Sequence, residues 1–273
     1  MARRKPSLIA PRRIAFSWYG GKFSHLSWLL PLLPKCHHYC EPFGGSAAVL
    51  LNREPSPVET YNDLDGQVVN FFRVLREKRD RLILALSLTP YSREEFVRVV
   101  TSDHNDYSSV EQARRFYVCA RQVRTGLAQT ATPASWSQSK RSRCGLAEQV
   151  SRWLGGIEQL PDIAERLLRV QLENRPALEV IRLYDDKKTL FYCDPPYPHE
   201  SRTGDSSYLH EMTDQEHKLL AEALKKCQGR VALSGYACPL LLKLYQNWRM
   251  VKSKIKPCPS GSTPRQEALW CNF

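Results

Sequence analysis

The sequence predicts an α/β protein built on an open, doubly wound sheet, and three observations carry that expectation. Short β-prone apolar runs alternate with helix-length segments up to about residue 80 and again from about residue 165, as when helices cover both faces of a sheet. Two of these runs end in ligand-type turns: Leu190–Cys193 leads into Asp194-Pro195-Pro196-Tyr197, and a run near 37–41 leads into Gly44-Gly45. The run after the glycine turn ends at an acidic residue, Asp63, where doubly wound folds hold ribose hydroxyls.

At 273 residues the chain is long enough for one large domain or two modest ones. Forty Lys and Arg against 28 Asp and Glu leave a formal charge of +12, which points to a polyanionic partner such as nucleic acid. No apolar segment is long enough to span a membrane, and Met1-Ala2-Arg3-Arg4-Lys5 is not followed by a hydrophobic signal core. Nine scattered cysteines, odd in number, read as reduced thiols of a cytoplasmic protein.

In chain order, residues 1–13 carry five basic residues and two prolines and read as a basic arm. Trp18-Tyr19-Gly20-Gly21-Lys22 surrounds a glycine pair with rings and a cation, without the spacing of a phosphate-binding loop. A strand near 37–41, the Gly44-Gly45 turn and a helix opening around Ser46 make a nucleotide-type cofactor turn. The full G-x-G-x-x-G is absent, which disfavours a dinucleotide. Cys36, His37, His38 and Cys40 lie on a strand whose alternate residues face opposite ways, and no second ligand pair is near. Zinc is therefore not expected. Val58–Tyr61 reads as the next strand, with Asp65 as a cap for a helix over 66–78.

Residues 80–165 read as mainly helical. Gln112–Ala147 contains no Asp or Glu but carries Arg114, Arg115, Arg121, Arg124, Lys140, Arg141 and Arg143 among Ser, Thr, Gln and aromatic residues. A solvated helix face can be one-signed too, but this mixture suits phosphate contact and base-edge readout. The α/β pattern resumes with a strand at 168–172, a helix over 176–184, the Asp194 strand and a polar loop at 198–212. A helix over 213–226, a strand at 230–233, a helix over 239–247 and strands at 248–255 and 267–273 complete it.

Asp194 is where the chemistry converges. Residues before proline are held extended, so the strand direction continues through Asp194 and Pro195 before a stiff turn. A carboxylate, an unpaired carbonyl and the Tyr197 ring then stand together at a strand's carboxyl end. That set suits an amino group on a flat ring, with two N–H acceptors and a stacking surface.

In this order, Phe16–Lys22, Glu41–Leu51, Asn62-Asp63, Asp194–Tyr197 and Ser262–Trp270 make the chain resemble the Dam-type family of adenine-N6 DNA methyltransferases. The resemblance implies a Rossmann-like methyltransferase sheet over 14–80 and 165–273, with a mostly helical target-recognition domain inserted at 81–164. It implies S-adenosyl-L-methionine as cofactor, no metal, duplex DNA as substrate and a cognate restriction enzyme as a partner class. It assigns Trp18, Tyr19, Gly20, Lys22, Glu41, Pro42, Phe43, Gly44, Gly45, Asp63 and Asp194 to the cofactor, and Asp194, Pro195, Pro196 and Tyr197 to catalysis. DNA contacts then fall to Arg115, Arg121, Arg124, Lys140, Arg141 and Arg143. Ala47 departs from the family, which commonly has a further glycine there; a slightly altered turn with retained binding is expected. Methylation of RNA adenine, or a DNA-binding protein that has lost catalysis, are the alternatives. Glutamine-side-chain methylation is disfavoured, because its tetrad usually begins with Asn.

Overall fold

The central strand of the sheet shows why this chain folds as it does. Thr189–Cys193 is buried at all five positions, the continuous apolar run expected of a strand covered on both faces. Its alternate residues feed two separate clusters. Leu190 and Tyr192 point into one, with Tyr39, Ala232 and Leu269 from neighbouring strands. Phe191 and Cys193 point into the other, with Cys40, Val231, Leu233 and Trp270. This period of two sets the register of the whole sheet.

A computed structural model describes residues 12–102, 106–124, 126, 128–201, 210–255 and 266–273. In chain order its elements are α1 (Leu26–Leu29), β1 (His38–Glu41), α2 (Ala48–Asn52), β2 (Val58–Asn62), α3 (Gly66–Glu77), α4 (Arg79–Ser87), α5 (Arg93–Thr101) and α6 (Ser109–Gln122). There follow β3 (Ser142–Arg143), β4 (Leu146–Ala147), α7 (Glu148–Glu158), α8 (Leu160–Leu167), β5 (Val170–Glu173), α9 (Ala177–Tyr184) and β6 (Thr189–Cys193). The last are α10 (Asp214–Lys226), β7 (Arg230–Tyr236), α11 (Pro239–Leu244), β8 (Arg249–Lys252) and β9 (Glu267–Cys271).

Seven strands form one sheet in the order β5-β2-β1-β6-β7-β9-β8. The first five run parallel, and β9 lies antiparallel between β7 and β8. The sheet is open and doubly wound, as expected, with a reversed strand near one edge. Helices α9, α10 and α11 cover one face. Helices α3 to α8 cover the other, so the helical stretch set apart by sequence at 81–164 shares its core with the sheet. Local signals fix the helix starts: Asp65 accepts the Gln67 N–H at 2.8 Å to cap α3, and Thr213 with Glu216 forms a capping box on α10.

Some expected bounds move. The strand expected over 248–255 is the four-residue β8, and β5 begins at Val170. Of the basic arm, residues 1–11 lie outside the described residues. Arg13 belongs to the fold: its backbone exchanges hydrogen bonds with the Asn52 side chain at 2.8 and 2.7 Å. Among the described residues no helix is long and apolar enough to cross a membrane.

Candidate active site

Three parallel strands deliver the site at their carboxyl ends. Asn62, at the end of β2, ties these ends together. Its amide donates to the Pro42 carbonyl at 2.8 Å and the Arg175 carbonyl at 3.0 Å, and it accepts the Arg175 N–H at 2.9 Å. The turn after β1 is shaped by aromatic packing. A Cβ on Gly44 would sit 2.1 Å from the Tyr61 ring, and one on Gly45 (φ 49°) 2.7 Å from the Trp18 indole. The Tyr61 hydroxyl then donates to the Gly45 carbonyl at 2.7 Å. The two glycines therefore admit neighbouring rings as well as leaving room for a ligand.

Ala47 adopts the left-handed conformation at φ 54°, ψ 27°, so alanine holds the geometry that a family glycine takes freely. Left-handed backbone costs an L-residue roughly 1–2 kcal/mol. Relief of that strain in Ala47→Gly is opposed by the lost burial of one methyl, about 0.8 kcal/mol, and by extra chain entropy. The expected urea midpoint is near wild type. Ala48→Gly lies in α2 with no such strain to relieve, and should cost about 1 kcal/mol or more. Equal losses for the two variants would show that the turn stores no strain.

Asp194 follows β6 directly. Its Oδ2 lies 2.7 Å from Lys22 Nζ, an ammonium only 3% exposed that also donates to the Gly20 carbonyl at 2.6 Å. Its Oδ1 lies 3.3 Å from the Tyr197 hydroxyl, and that hydroxyl lies 2.7 Å from Oε2 of Glu267 at the start of β9. A half-buried carboxylate, Asp194, and a buried one, Glu267, thus share one phenol, with Asp194 paired directly to the ammonium. Burial alone would lower the Lys22 ammonium, but Asp194 and Glu267 outweigh it and hold it above its ordinary value. Burial raises the Asp194 carboxyl, with Lys22 opposing and Glu267 adding to the rise. The Tyr197 phenol is pushed well up by burial and by both carboxylates, so it remains a donor.

Two further carboxyls face the same cleft. Burial pushes Glu41 up to about 8, against a 2.7 Å hydrogen bond from the Tyr39 hydroxyl. Burial pushes Asp63 up to about 6, although it accepts N–H bonds from Gly45 at 2.7 Å and Asp65 at 2.9 Å.

One cavity is lined by all eleven residues expected at the cofactor: Trp18, Tyr19, Gly20, Lys22, Glu41, Pro42, Phe43, Gly44, Gly45, Asp63 and Asp194. Pro196 joins them, while Pro195 and Tyr197 are buried behind the wall. Tyr197 is 4% exposed and meets the half-buried Tyr236 edge-on at 4.8 Å. Sequence reasoning missed the apolar Leu64, Ala177 and Met212, which carry no motif. It also missed Gln129, which lines the cavity and donates to Asp65. Glu267 stands out in the sequence only as a member of the Ser262–Trp270 stretch.

The residues expected at DNA divide sharply. Lys140, Arg141 and Arg143 are exposed on and beside the β3–β4 hairpin. Arg124 is exposed, with one guanidinium nitrogen 3.3 Å from the Ala134 carbonyl. Arg121 is turned inward, donating to the Arg152 carbonyl. Arg115 corrects the expectation. It is buried, donating to the Val99 carbonyl at 2.9 Å and to Ser102 Oγ at 2.5 Å, so its guanidinium binds the end of α5 to α6.

The family model of the D12 class N6 adenine-specific DNA methyltransferases matches residues 18–256. The chain is 24% identical over 268 residues to the Type II methyltransferase M.MjaIII of Methanocaldococcus jannaschii, covering 88% of this chain and 90% of that protein. It is 23% identical over 261 residues to the DNA adenine methylase of Salmonella typhimurium, covering 92% of this chain and 90% of that protein. A solved SAM-dependent methyltransferase from Agrobacterium tumefaciens aligns with 91% of this chain and 61% of its own length, at 9% identity and a TM-score of 0.38. With a family match over most of its length, the chain belongs to the D12 class of N6 adenine-specific DNA methyltransferases.

Proposed function

We propose that this adenine methyltransferase takes its methyl group from S-adenosyl-L-methionine and delivers it to an adenine rotated out of duplex DNA at a specific site. The observation that carries the reading is the single cavity in which the glycine turn, Asp63 and Lys22-paired Asp194 meet. The donor set fits that cofactor. Leu64, Phe43 and Ala177 offer apolar walls for a ring. Asp63, held up near 6 by burial, gains from hydroxyl donors such as those of a ribose. Glu41, held up near 8, gains from a nearby positive charge. When bound, the cofactor supplies an electrophilic methyl on a sulfonium.

The remaining chemistry belongs to the protein. An amine inside a duplex cannot reach this cavity, so the base must leave the stack. The amine's lone pair is delocalised into its ring. Asp194 Oδ1 and the Pro195 carbonyl accept its two N–H bonds and favour a pyramidal nitrogen whose lone pair faces the methyl. With the amine held in this way, the nitrogen would take the methyl directly from a bound cofactor, and the chain's own residues would contribute positioning and electrostatics. Lys22 favours the ionised form of Asp194, opposing the rise that burial causes. A carboxylate is far too weak a base to deprotonate a neutral aryl amine, so the proton departs during or after transfer. Tyr197, 4% exposed behind the cavity wall with Tyr236 edge-on beside it, would have to be uncovered when DNA binds for the base to stack on its ring.

The direct test supplies methyl-labelled donor with duplex DNA or structured RNA, and sequences the product by a method sensitive to N6-methyladenine. Methyl in one recurrent DNA motif is expected; label in RNA alone would overturn the substrate. A unique motif would also identify the matching restriction enzyme to seek.

The exposed hairpin is the proposed phosphate-contacting element. Arg141→Ala and Arg143→Ala should each weaken binding to cognate and scrambled duplexes alike, and lower the log–log salt slope by about one. Arg115→Ala should instead lower stability and leave that slope unchanged. Unaltered affinity and slope in both hairpin variants would move DNA recognition elsewhere.

A further inference from the structure

Glu267 lies at the catalytic centre without touching the cavity that the expected cofactor residues line. It is buried at the first position of β9, paired in register with Tyr236, and it accepts the Tyr197 hydroxyl at 2.7 Å. The same hydroxyl is 3.3 Å from Asp194 Oδ1. A phenol has one proton to donate. The shorter contact assigns it to Glu267, which leaves Asp194 Oδ1 with its acceptor capacity open. Oδ2 is already engaged by Lys22 at 2.7 Å, so Oδ1 is the oxygen left for a substrate amine.

We propose that Glu267 is a positioning residue that turns the Tyr197 hydroxyl away from Asp194 and so keeps Oδ1 free to accept the adenine amine. The proposal rests on the methyltransferase reading given above. Without the Glu267 carboxylate, the acceptor left for the Tyr197 proton among the described residues is Asp194 itself, and the hydroxyl would occupy the oxygen that catalysis requires. β9 then does more than complete the sheet. Its reversed direction brings Glu267 across from Tyr236, at the end of the sheet where β6 delivers Asp194.

The test is a double-variant comparison on the full chain, reading kcat, the donor KM and the urea midpoint. Glu267→Ala should lower kcat about tenfold or more, the cost of misdirecting one charge-assisted hydrogen bond, with donor KM within about twofold. Glu267→Gln retains a carbonyl acceptor and should stay within about threefold of wild type. The revealing variant is Tyr197→Phe/Glu267→Ala, which should turn over faster than Glu267→Ala alone because the misdirected hydroxyl is gone. A merely structural role predicts the opposite, since the double variant loses two contacts. A double variant no faster than Glu267→Ala, or a Gln variant as slow as the Ala variant, overturns the proposal. If Glu267→Ala does not fold, the Gln arm decides alone: activity near wild type supports the proposal, and a loss above about tenfold overturns it. Wild-type protein that transfers no methyl overturns the functional reading and this inference together. Active wild type with a fast Glu267→Ala overturns only the inference.

Discussion

Asp194→Ala should reduce methyl transfer by about a hundredfold to a thousandfold or more, the scale seen when one preorganised electrostatic group is removed from an active site. Among the described residues, only Asp194 combines a carboxylate at the end of β6 with direct pairing to Lys22. The substitution removes the acceptor and also strands an ammonium that is 3% exposed, although Glu267 still compensates part of its charge. Some loss of stability is therefore expected as well. Asp194→Asn separates the two effects, because it keeps the shape and a carbonyl oxygen while removing the charge. Single-turnover rates at saturating donor and DNA, alongside duplex affinity, provide the measurement. Both variants should bind duplex nearly normally, since the exposed hairpin is remote from Asp194 in sequence and outside the cavity wall. Near-normal turnover in either variant would remove the carboxylate from the mechanism.

The parts of this architecture that were legible in the sequence are those governed by local physics. Central strands buried on both faces read as apolar runs, and Leu190–Cys193 stands out for that reason. The Gly44-Gly45 turn and Asp194-Pro195-Pro196-Tyr197 are contiguous, so their chemistry is visible without knowing the fold. What was not legible depends on long-range partners. Glu267 lies 70 residues from Tyr197 and looks like any strand residue until β9 is placed against β7. The acid-free run failed as a guide at its start for a related reason. It begins at Gln112, one residue beyond Glu111, and Glu111 together with Glu95 pairs with Arg114. Arg115 finds its acceptors on α5, where no charge pattern announces them. Of the run's cations, Arg124 and those on and beside the hairpin are the exposed ones. Charge counting cannot separate a cation that holds two helices together from one that faces a partner.

The largest expected effect on stability lies at the opposite end of β2 from Asp63. Glu59 is 1% exposed and receives a two-pronged contact from Arg166 of α8, at 2.5 and 2.7 Å. Arg166 also donates to the Leu50 carbonyl at 2.9 Å, and Ser56 N–H donates to Glu59 at 3.1 Å. Helix α8 closes the long helical excursion and returns the chain to β5, so this pair fastens the excursion to the sheet. Both charges have left water, and the geometry recovers the desolvation only while both are present. Glu59→Ala should therefore cost about 3–5 kcal/mol, because it leaves a buried guanidinium without its counter-charge. The double variant Glu59→Leu/Arg166→Met removes both members of this pair and refills the space with apolar atoms, but leaves the largely buried Arg53, 3.8 Å from Glu59 in the native protein, without that counter-charge. It should recover part of that loss, since replacing a buried pair by well-packed apolar residues is often neutral or better while the stranded Arg53 keeps some of the cost. Urea midpoints and slopes for the two variants and wild type decide the matter. A double variant as unstable as Glu59→Ala would mean that the loss comes from packing around β2 or from Arg53 losing Glu59, and not from Arg166. A Glu59→Ala variant within about 1 kcal/mol of wild type, the range of an exposed pair, would mean that water reaches the guanidinium and that α8 is held by its apolar face alone.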